Sequence, residues 1–227
     1  MAVYGYNREE IQQLRTQVTD VAESLANSIK EKFQNQFVNP MGDIWYAPEA
    51  ITWFDSFKET LDSLSTPLIN YFNGYLEALQ AAANAWAQTT GGEQIVIAEI
   101  PSQVFSLSIN SIDYSAIKSE NANHDQGIEV DQAQQICSGN LPAIQTLLNE
   151  ELSAYSSRIE AETSFLGGGQ AEAVQRCFGQ IAELIKNLFN ELTEGENSLP
   201  AAITSYINKY KETASANVSG LDSIVSE

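Results

Sequence analysis

Apolar residues recur every three or four positions along the first part of the chain, which is the pattern of an amphipathic helix. The pattern begins after Asn7, a residue able to cap a helix, and Glu10 follows three positions later as in a capping box. Its apolar positions are Ile11, Leu14, Val18, Val21, Leu25, Ile29, Phe33 and Phe37. Because Asn39-Pro40-Met41-Gly42 combines a proline with a glycine, the sequence predicts that the first helix ends there.

A second helical pattern starts near Pro48, since proline is well accommodated in the first turn of a helix. It continues to Leu64, is interrupted at Ser65-Thr66-Pro67, and resumes as far as Trp86. The Ser-Thr-Pro sequence can kink a helix or begin a new one, and both outcomes are compatible with the pattern. Thr89-Thr90-Gly91-Gly92 ends this second arm.

Residues 93–130 differ in composition from the predicted helices on either side. The runs from Ile95 to Ile100 and from Val104 to Ile109 are rich in β-branched and aromatic residues, and Pro101 separates them. This composition predicts either a short β-hairpin or an extended crossover.

Helical periodicity returns at Ile136 and continues to Ile159. Gly167-Gly168-Gly169 then predicts a turn, because three consecutive glycines strongly disfavour a continuing helix. A further helix extends to Leu192, and a last one follows Pro200.

The second half therefore repeats the layout of the first half, namely a long helix, a turn, a long helix, a proline-marked break and a final helix. An offset of 121 residues places Phe178 over Phe57 and Ala171 over Ala50. This correspondence indicates an internal duplication.

Two hairpins with one apolar stripe per helix can bury those stripes by packing against each other. The sequence thus predicts an all-α fold, in which two tandem long helical hairpins form a four-helix bundle. The predicted divisions are residues 1–92 for the first hairpin, 93–130 for the crossover linker and 131–227 for the second hairpin.

The chain is strongly acidic, with 30 Asp and Glu residues against 11 Lys and Arg and a formal charge of -19. Nucleic acids and anionic membrane surfaces attract Lys and Arg rather than carboxylates, so neither is an expected partner. With 43% hydrophobic residues, the chain has enough apolar surface to fold around a core. Its N-terminal residues lack the basic and apolar regions of a secretory signal peptide.

Residues for common catalytic chemistry are scarce. Cys137 and Cys177 match no metal-binding or redox spacing, and the predicted hairpin sets them too far apart for a disulfide. His124 is the only histidine and lies in a polar segment, so neither a catalytic triad nor a His-rich metal site is expected. Gly167-Gly168-Gly169 lacks the Lys of a phosphate-binding loop, and Glu150-Glu151 has no accompanying Glu-x-x-His motif. We therefore expect no enzymatic activity, no cofactor and no metal site.

The turn of the first hairpin carries a recognisable sequence. Residues 42–50 read Gly-Asp-Ile-Trp-Tyr-Ala-Pro-Glu-Ala, and this stretch resembles the WXG superfamily of Esx-like type VII secretion proteins, whose hairpin turn contains Trp-x-Gly. Trp45 stands at the motif Trp and Ala47 at the motif Gly, while Phe165 and Gly167 stand at these positions in the second hairpin. Each turn therefore departs from the motif at one position.

The resemblance implies a secreted substrate, a co-secreted partner or a helper of a Gram-positive type VII secretion system that acts by helix–helix binding. The protein partner would belong to the secretion machinery or be a co-secreted effector. Members of the family dimerise as single hairpins, so a fused pair is expected to be monomeric. The implied location is outside the cell, reached without a cleaved signal peptide, or the cytoplasm before export.

Many members of that family carry a Tyr-x-x-x-Asp/Glu export signal after the second helix. Here Tyr210 is followed four residues later by Ala214, and Tyr75 by Leu79. Export through a partner, or an intracellular role as a helper, is therefore an alternative to autonomous export.

Two other functions are compatible with the sequence. One is a cell-envelope or toxin-type helical bundle that engages a membrane or a host protein, and the other is an enzyme with converging carboxylates. Tyrosine and tryptophan are favoured anchors in protein interfaces. The candidates for a partner-binding surface are Tyr71, Tyr75, Trp86, Tyr206 and Tyr210.

Overall fold

The computed structural model describes residues 7–112, 126–163 and 170–225, of which residues 170, 171 and 219–225 are described by their backbone alone. Most of these residues are helical, and one apolar core contains residues of both predicted hairpins. The helices are α1 (Arg8–Phe33), α2 (Asn39–Ile44), α3 (Pro48–Ser63), α4 (Ser65–Thr90), α5 (Val130–Gln135), α6 (Leu141–Glu162), α7 (Gln170–Thr193) and α8 (Leu199–Val225). The predicted all-α bundle of helical hairpins is confirmed.

Helix α1 begins as the sequence predicts. The Asn7 side chain accepts a hydrogen bond from the Glu9 backbone N–H at 2.9 Å, which satisfies one of the amides left free at a helix N-terminus. Glu9 and Glu10 lie in the first turn and Lys30 and Lys32 in the last, so the charges complement the helix dipole. The predicted apolar stripe is buried from end to end.

The predicted end of the first helix at Asn39-Pro40-Met41-Gly42 is wrong. The chain continues helically to Ile44 through a π turn, Gln34–Val38, in which the Asn39 N–H donates to the Gln34 carbonyl. Pro40 has no N–H for the carbonyl of Gln36, and the Asn140 side chain donates to that carbonyl at 2.8 Å instead. The wider turn and the Asn140 amide let the helix pass the proline.

A second π turn, Ile136–Asn140, joins α5 to α6 and also stands just before a proline, Pro142. The two π turns contact each other, which is why Asn140 reaches the first one. Single π turns of this kind are costly local features that persist where packing supports them.

The two hairpins pack against each other in antiparallel fashion. Lys32 of α1 is paired with Glu151 of α6, and farther along α1 the π turn meets Asn140 near the start of α6. The second arms are also antiparallel, since Trp53 of α3 donates to the Asn197 carbonyl beyond the end of α7, while Phe72 of α4 contacts Phe178 in the first half of α7 with ring centroids 5.9 Å apart. α1 is therefore covered by α6, and α4 by α7.

The Cys177 thiol of α7 also donates to the Tyr71 carbonyl of α4 at 3.4 Å, a further contact between the two halves of the chain.

The second arm of the first hairpin breaks where Ser65-Thr66-Pro67 predicts a kink or a new start. Helix α3 ends at Ser63 and α4 begins at Ser65, so Leu64 is the joint between them. The Leu64 carbonyl still accepts from the Leu68 N–H at 3.1 Å, which keeps the two helices nearly continuous.

Residues 93–112, called the crossover strap here, are extended except for a short turn at Ser102–Val104. Of the two alternatives, the structure has the extended crossover and forms no strand in this segment. Ile95 and Ile97 are buried while Val96 is 81% exposed, and Leu107 and Ile109 alternate with exposed serines in the same way. Every second side chain therefore packs against the core, as it would in a half-buried strand.

Side chains of α4 take the place of a neighbouring strand. Asn84 bonds both backbone groups of Ile95, accepting from its N–H at 2.7 Å and donating to its carbonyl at 3.0 Å. Asn73 does the same for Ile100, at 2.8 Å and 3.2 Å. The side-chain amide thus satisfies polar backbone groups that burial would otherwise leave unpaired.

The spacing of these two asparagines matches the geometry of both elements. Eleven helical residues from Asn73 to Asn84 span about 16 Å. Five extended residues from Ile95 to Ile100 also span about 16 Å. Because eleven residues are close to three whole turns, both asparagines project from the same face of α4.

The described strands lie elsewhere and are short. β1 (Trp45–Tyr46) pairs antiparallel with β2 (Gly127–Ile128), with Trp45 opposite Ile128. A Cβ atom on Gly127 would lie 2.6 Å from the Tyr46 hydroxyl, so any other residue at this position would have to displace the Tyr46 ring. The small sheet joins the turn between α2 and α3 to residues 127–128, which lead into the second hairpin.

Asn84→Ala is expected to lower the free energy of unfolding by about 1–2 kcal/mol, because two buried backbone groups of Ile95 lose their partner. Hydrogen exchange should show faster exchange at the Ile95 amide. Asn208→Ala, at an exposed position of α8, is the matched control with the same gain in helix propensity. Equal stability of the two variants would contradict the role assigned to Asn84.

Candidate partner-binding groove

Trp45 lies at the turn of the first hairpin and is 1% exposed. Its ring packs against Phe54 of α3 with centroids 6.3 Å apart, and against Tyr206 of α8 at 6.1 Å. The indole Nε1 is buried without a hydrogen-bond acceptor among the described residues. The turn of one hairpin is thus closed by the last helix of the other.

Ala47, at the position of the motif Gly, is 4% exposed and directly precedes α3. Its carbonyl accepts the first helical bond from the Ala50 N–H at 3.0 Å. Phe165 and Gly167, the corresponding positions of the second hairpin, lie outside the described residues.

An aromatic cluster extends from the turn into the bundle. Trp53 stacks on Phe57 with centroids 5.8 Å apart, and Phe57 meets Phe37 edge-on at 5.3 Å. Phe33 continues the cluster to α7, where it stacks on Phe189 at 5.5 Å. Edge-on and offset contacts of this kind add to the energy of burial.

A groove of about 910 Å³ opens above this cluster, between α3 on one side and α7 and α8 on the other. Its walls are the sides of helices and the connection between α7 and α8. The residues that form its apolar floor are Trp45, Trp53, Phe57, Leu188, Leu192 and Tyr206. We call this feature the aromatic groove.

The rim of the aromatic groove is acidic. Glu191, Glu194 and Glu196 are exposed along one edge, and Glu49 lies on the opposite edge. No Lys or Arg belongs to the described lining. The groove therefore combines an apolar floor with a negative potential.

One lysine stands next to the groove and is already paired. Lys209 Nζ lies 2.5 Å from Glu49 Oε1 and joins α8 to α3. The hydrogen bond from Lys209 is the main cause of a lowered pKa at Glu49, and the same bond raises the pKa of Lys209. Glu49 is thus ionised and held, whereas the other three rim carboxylates are exposed to solvent.

The five predicted partner-binding aromatics do not form one exposed patch. Tyr75 and Tyr206 are buried, at 4% and 9% exposure, and Tyr210 is 65% exposed. Tyr71 and Trp86 are half-buried. Of the five, Tyr206 belongs to the aromatic groove.

The rim glutamates were not predicted as site residues. The signal available in the sequence is the run Glu191-Leu192-Thr193-Glu194-Gly195-Glu196, in which an apolar stripe ends among acids just before a break. Their position above Trp53 depends on the antiparallel packing of α3 with α7, which the sequence of either helix alone does not reveal.

Both cysteines are free thiols. Burial raises the pKa of Cys177 to about 12 and that of Cys137 to about 11. A thiol is nucleophilic as its thiolate, so neither cysteine is activated. Within the described ranges, no three His, Cys, Asp or Glu side chains converge as metal ligands, and His124 lies outside those ranges.

In the part of the chain that the structure describes, no helix combines the length and apolar character needed to cross a membrane. Comparison of the chain with protein-family models, with curated proteins and with solved structures finds no match.

Lys209→Met is expected to destabilise the protein at pH 7, with an effect that shrinks on acidification. A carboxylate with a lowered pKa contributes stability above its ordinary value of 4.5, and this contribution is lost as the pH falls through the lowered pKa of Glu49. The melting temperatures of wild type and variant should therefore differ at neutral pH and converge as the pH falls below the lowered pKa of Glu49.

The control is Lys211→Met, which removes an exposed lysine from the same helix. It should show no such convergence. A constant difference between wild type and Lys209→Met at all pH values would contradict a role for the Glu49 pair.

Proposed function

We propose that this protein is a substrate, a co-secreted partner or a helper of a Gram-positive type VII secretion system, and that it acts by binding helices of another protein. The observation that carries the proposal is the burial of Trp45 at the hairpin turn, beneath Tyr206 of the second hairpin. In the WXG superfamily that the chain resembles, an aromatic residue at this position closes the end of a four-helix bundle.

The pairing of the two halves supports the proposal. Related single hairpins obtain a four-helix bundle by dimerising, and here α1 packs on α6 and α4 on α7 within one chain. The Lys32–Glu151 ion pair joins α1 of the first half to α6 of the second, where two separate hairpins would have their dimer interface. The protein is therefore a fused pseudo-dimer in this proposal.

No catalytic step is part of the proposal. The groove offers contact area and charge, and the buried thiols offer no activated nucleophile. Binding is the function for which such a surface is suited.

The fused pseudo-dimer should be a monomer in solution, because its own second half already covers the face through which single hairpins dimerise. Sedimentation equilibrium over a wide concentration range measures this directly. An obligate dimer at all concentrations would contradict the pseudo-dimer.

Export is tested in the organism that encodes the chain. Deletion of the type VII secretion ATPase should remove the protein from the culture supernatant and leave it in the cell pellet. A protein with a cleaved signal peptide serves as the control for general secretion, and a cytoplasmic enzyme serves as the control for lysis.

Unchanged extracellular abundance in the deletion strain would rule out the substrate and co-secreted partner versions. The helper version predicts an intracellular complex instead, so affinity purification from the wild-type cytoplasm should recover a secreted effector with the chain. Failure of both experiments would reject the type VII proposal as a whole.

A further inference from the structure

We propose that the aromatic groove binds a cationic amphipathic helix of a partner protein. This inference names the chemistry of the partner in the proposed helix-binding function, and it rests on that part of the function alone. It holds whether or not the chain is exported.

The shape of the groove favours a helix over an extended peptide. α3, α7 and α8 form most of its sides, with backbone groups bonded within their own helices, and the α7–α8 connection completes the wall. Trp45 of the two-residue strand β1 is the one strand residue in the described lining, so a partner segment finds no long strand edge and must satisfy its own backbone bonds, as a helix does. The wall from Glu49 to Thr60 has room for about 16 Å of helix, or three turns.

The floor of the groove supplies the apolar contact that such a helix needs. Trp53 is partly exposed and lies flat against Phe57, so that its ring offers a broad surface beside Leu188. Tryptophan in this setting is a typical interface anchor, because it contributes a large apolar area at little cost in side-chain entropy. One apolar face of the partner helix would lie on it.

The rim determines the charge of the partner. Glu191, Glu194 and Glu196 line the edge formed by α7 and its C-terminal connection, and the described lining has no cation to neutralise them. Glu49 across the groove already has Lys209 as its partner. A helix with Lys or Arg along one flank would complement the three exposed carboxylates.

Binding is measured with a synthetic helix of Leu and Lys, about 18 residues long so that it can be helical in isolation. A second peptide replaces every Lys with Glu and keeps the apolar face. Fluorescence anisotropy of labelled peptides should give one Lys-peptide bound per chain, weakening as salt rises from about 0.05 to 0.3 M, and no binding of the Glu-peptide.

The site is located with charge variants of equal size. Glu191→Gln, Glu194→Gln and Glu196→Gln together should weaken Lys-peptide binding about tenfold, since three exposed pairs each contribute a modest energy. The matched control combines Glu23→Gln, Glu77→Gln and Glu150→Gln, three exposed acids outside the groove lining. This control should stay within about twofold of wild type.

A blocking variant provides a second test that leaves the core intact. Ser205 is exposed on the α8 wall, and Ser205→Arg places a cation and a long side chain in the groove. Ser153→Arg adds the same residue at an exposed position of α6. The first should abolish binding of the Lys-peptide, and the second should leave it unchanged.

Three results would overturn the proposal. Wild type could fail to bind the Lys-peptide, or both triple variants could weaken binding equally, which would indicate general attraction to an acidic protein. A dimer that disappears in Ser205→Arg would instead identify a second copy as the occupant. Peptide binding by a chain that is neither exported nor recovered with a secreted effector would refute the type VII proposal alone, so the two failures are distinguishable.

Discussion

Contact between aromatic rings in the middle of the bundle holds the two hairpins together. Phe33 of α1 touches Phe57 of its own hairpin at 5.4 Å and stacks on Phe189 of the other at 5.5 Å. Neither hairpin alone could bury its whole apolar stripe, because each helix packs on one neighbour within the hairpin and needs another across the interface. The positions of α8, of the closed turn at Trp45 and of the groove all depend on this interface.

Side chains on packed elements also explain how local irregularities of the backbone are tolerated. Pro40 removes a helix-stabilising bond, and the replacement comes from Asn140 in the other half of the chain. The crossover strap has no neighbouring strand, and Asn73 and Asn84 replace one with their side-chain amides. In both places an asparagine from a packed helix completes the hydrogen bonding of a backbone that secondary structure leaves incomplete.

Helical periodicity was sufficient to predict the arms of both hairpins, because burial along one face governs those residues. It failed at Pro40, where the outcome depends on the side chain of Asn140, one hundred positions away. For the strap, the sequence predicted either a β-hairpin or an extended crossover and could not choose between them. A half-buried extended chain has the same apolar pattern whether it pairs with a strand or with a row of asparagines. Trp45 was predicted as the turn residue, whereas Glu191 and Glu194 gained their place in the groove only through tertiary packing.

The match between the strap and α4 restricts how this protein can change length during evolution. One residue inserted into α4 between Asn73 and Asn84 would rotate one asparagine by about 100° and take it away from the strap. One residue inserted between Ile95 and Ile100 would reverse which side chains face the core. Insertions and deletions are therefore disfavoured in two segments that look, by composition, like an ordinary helix and an ordinary linker.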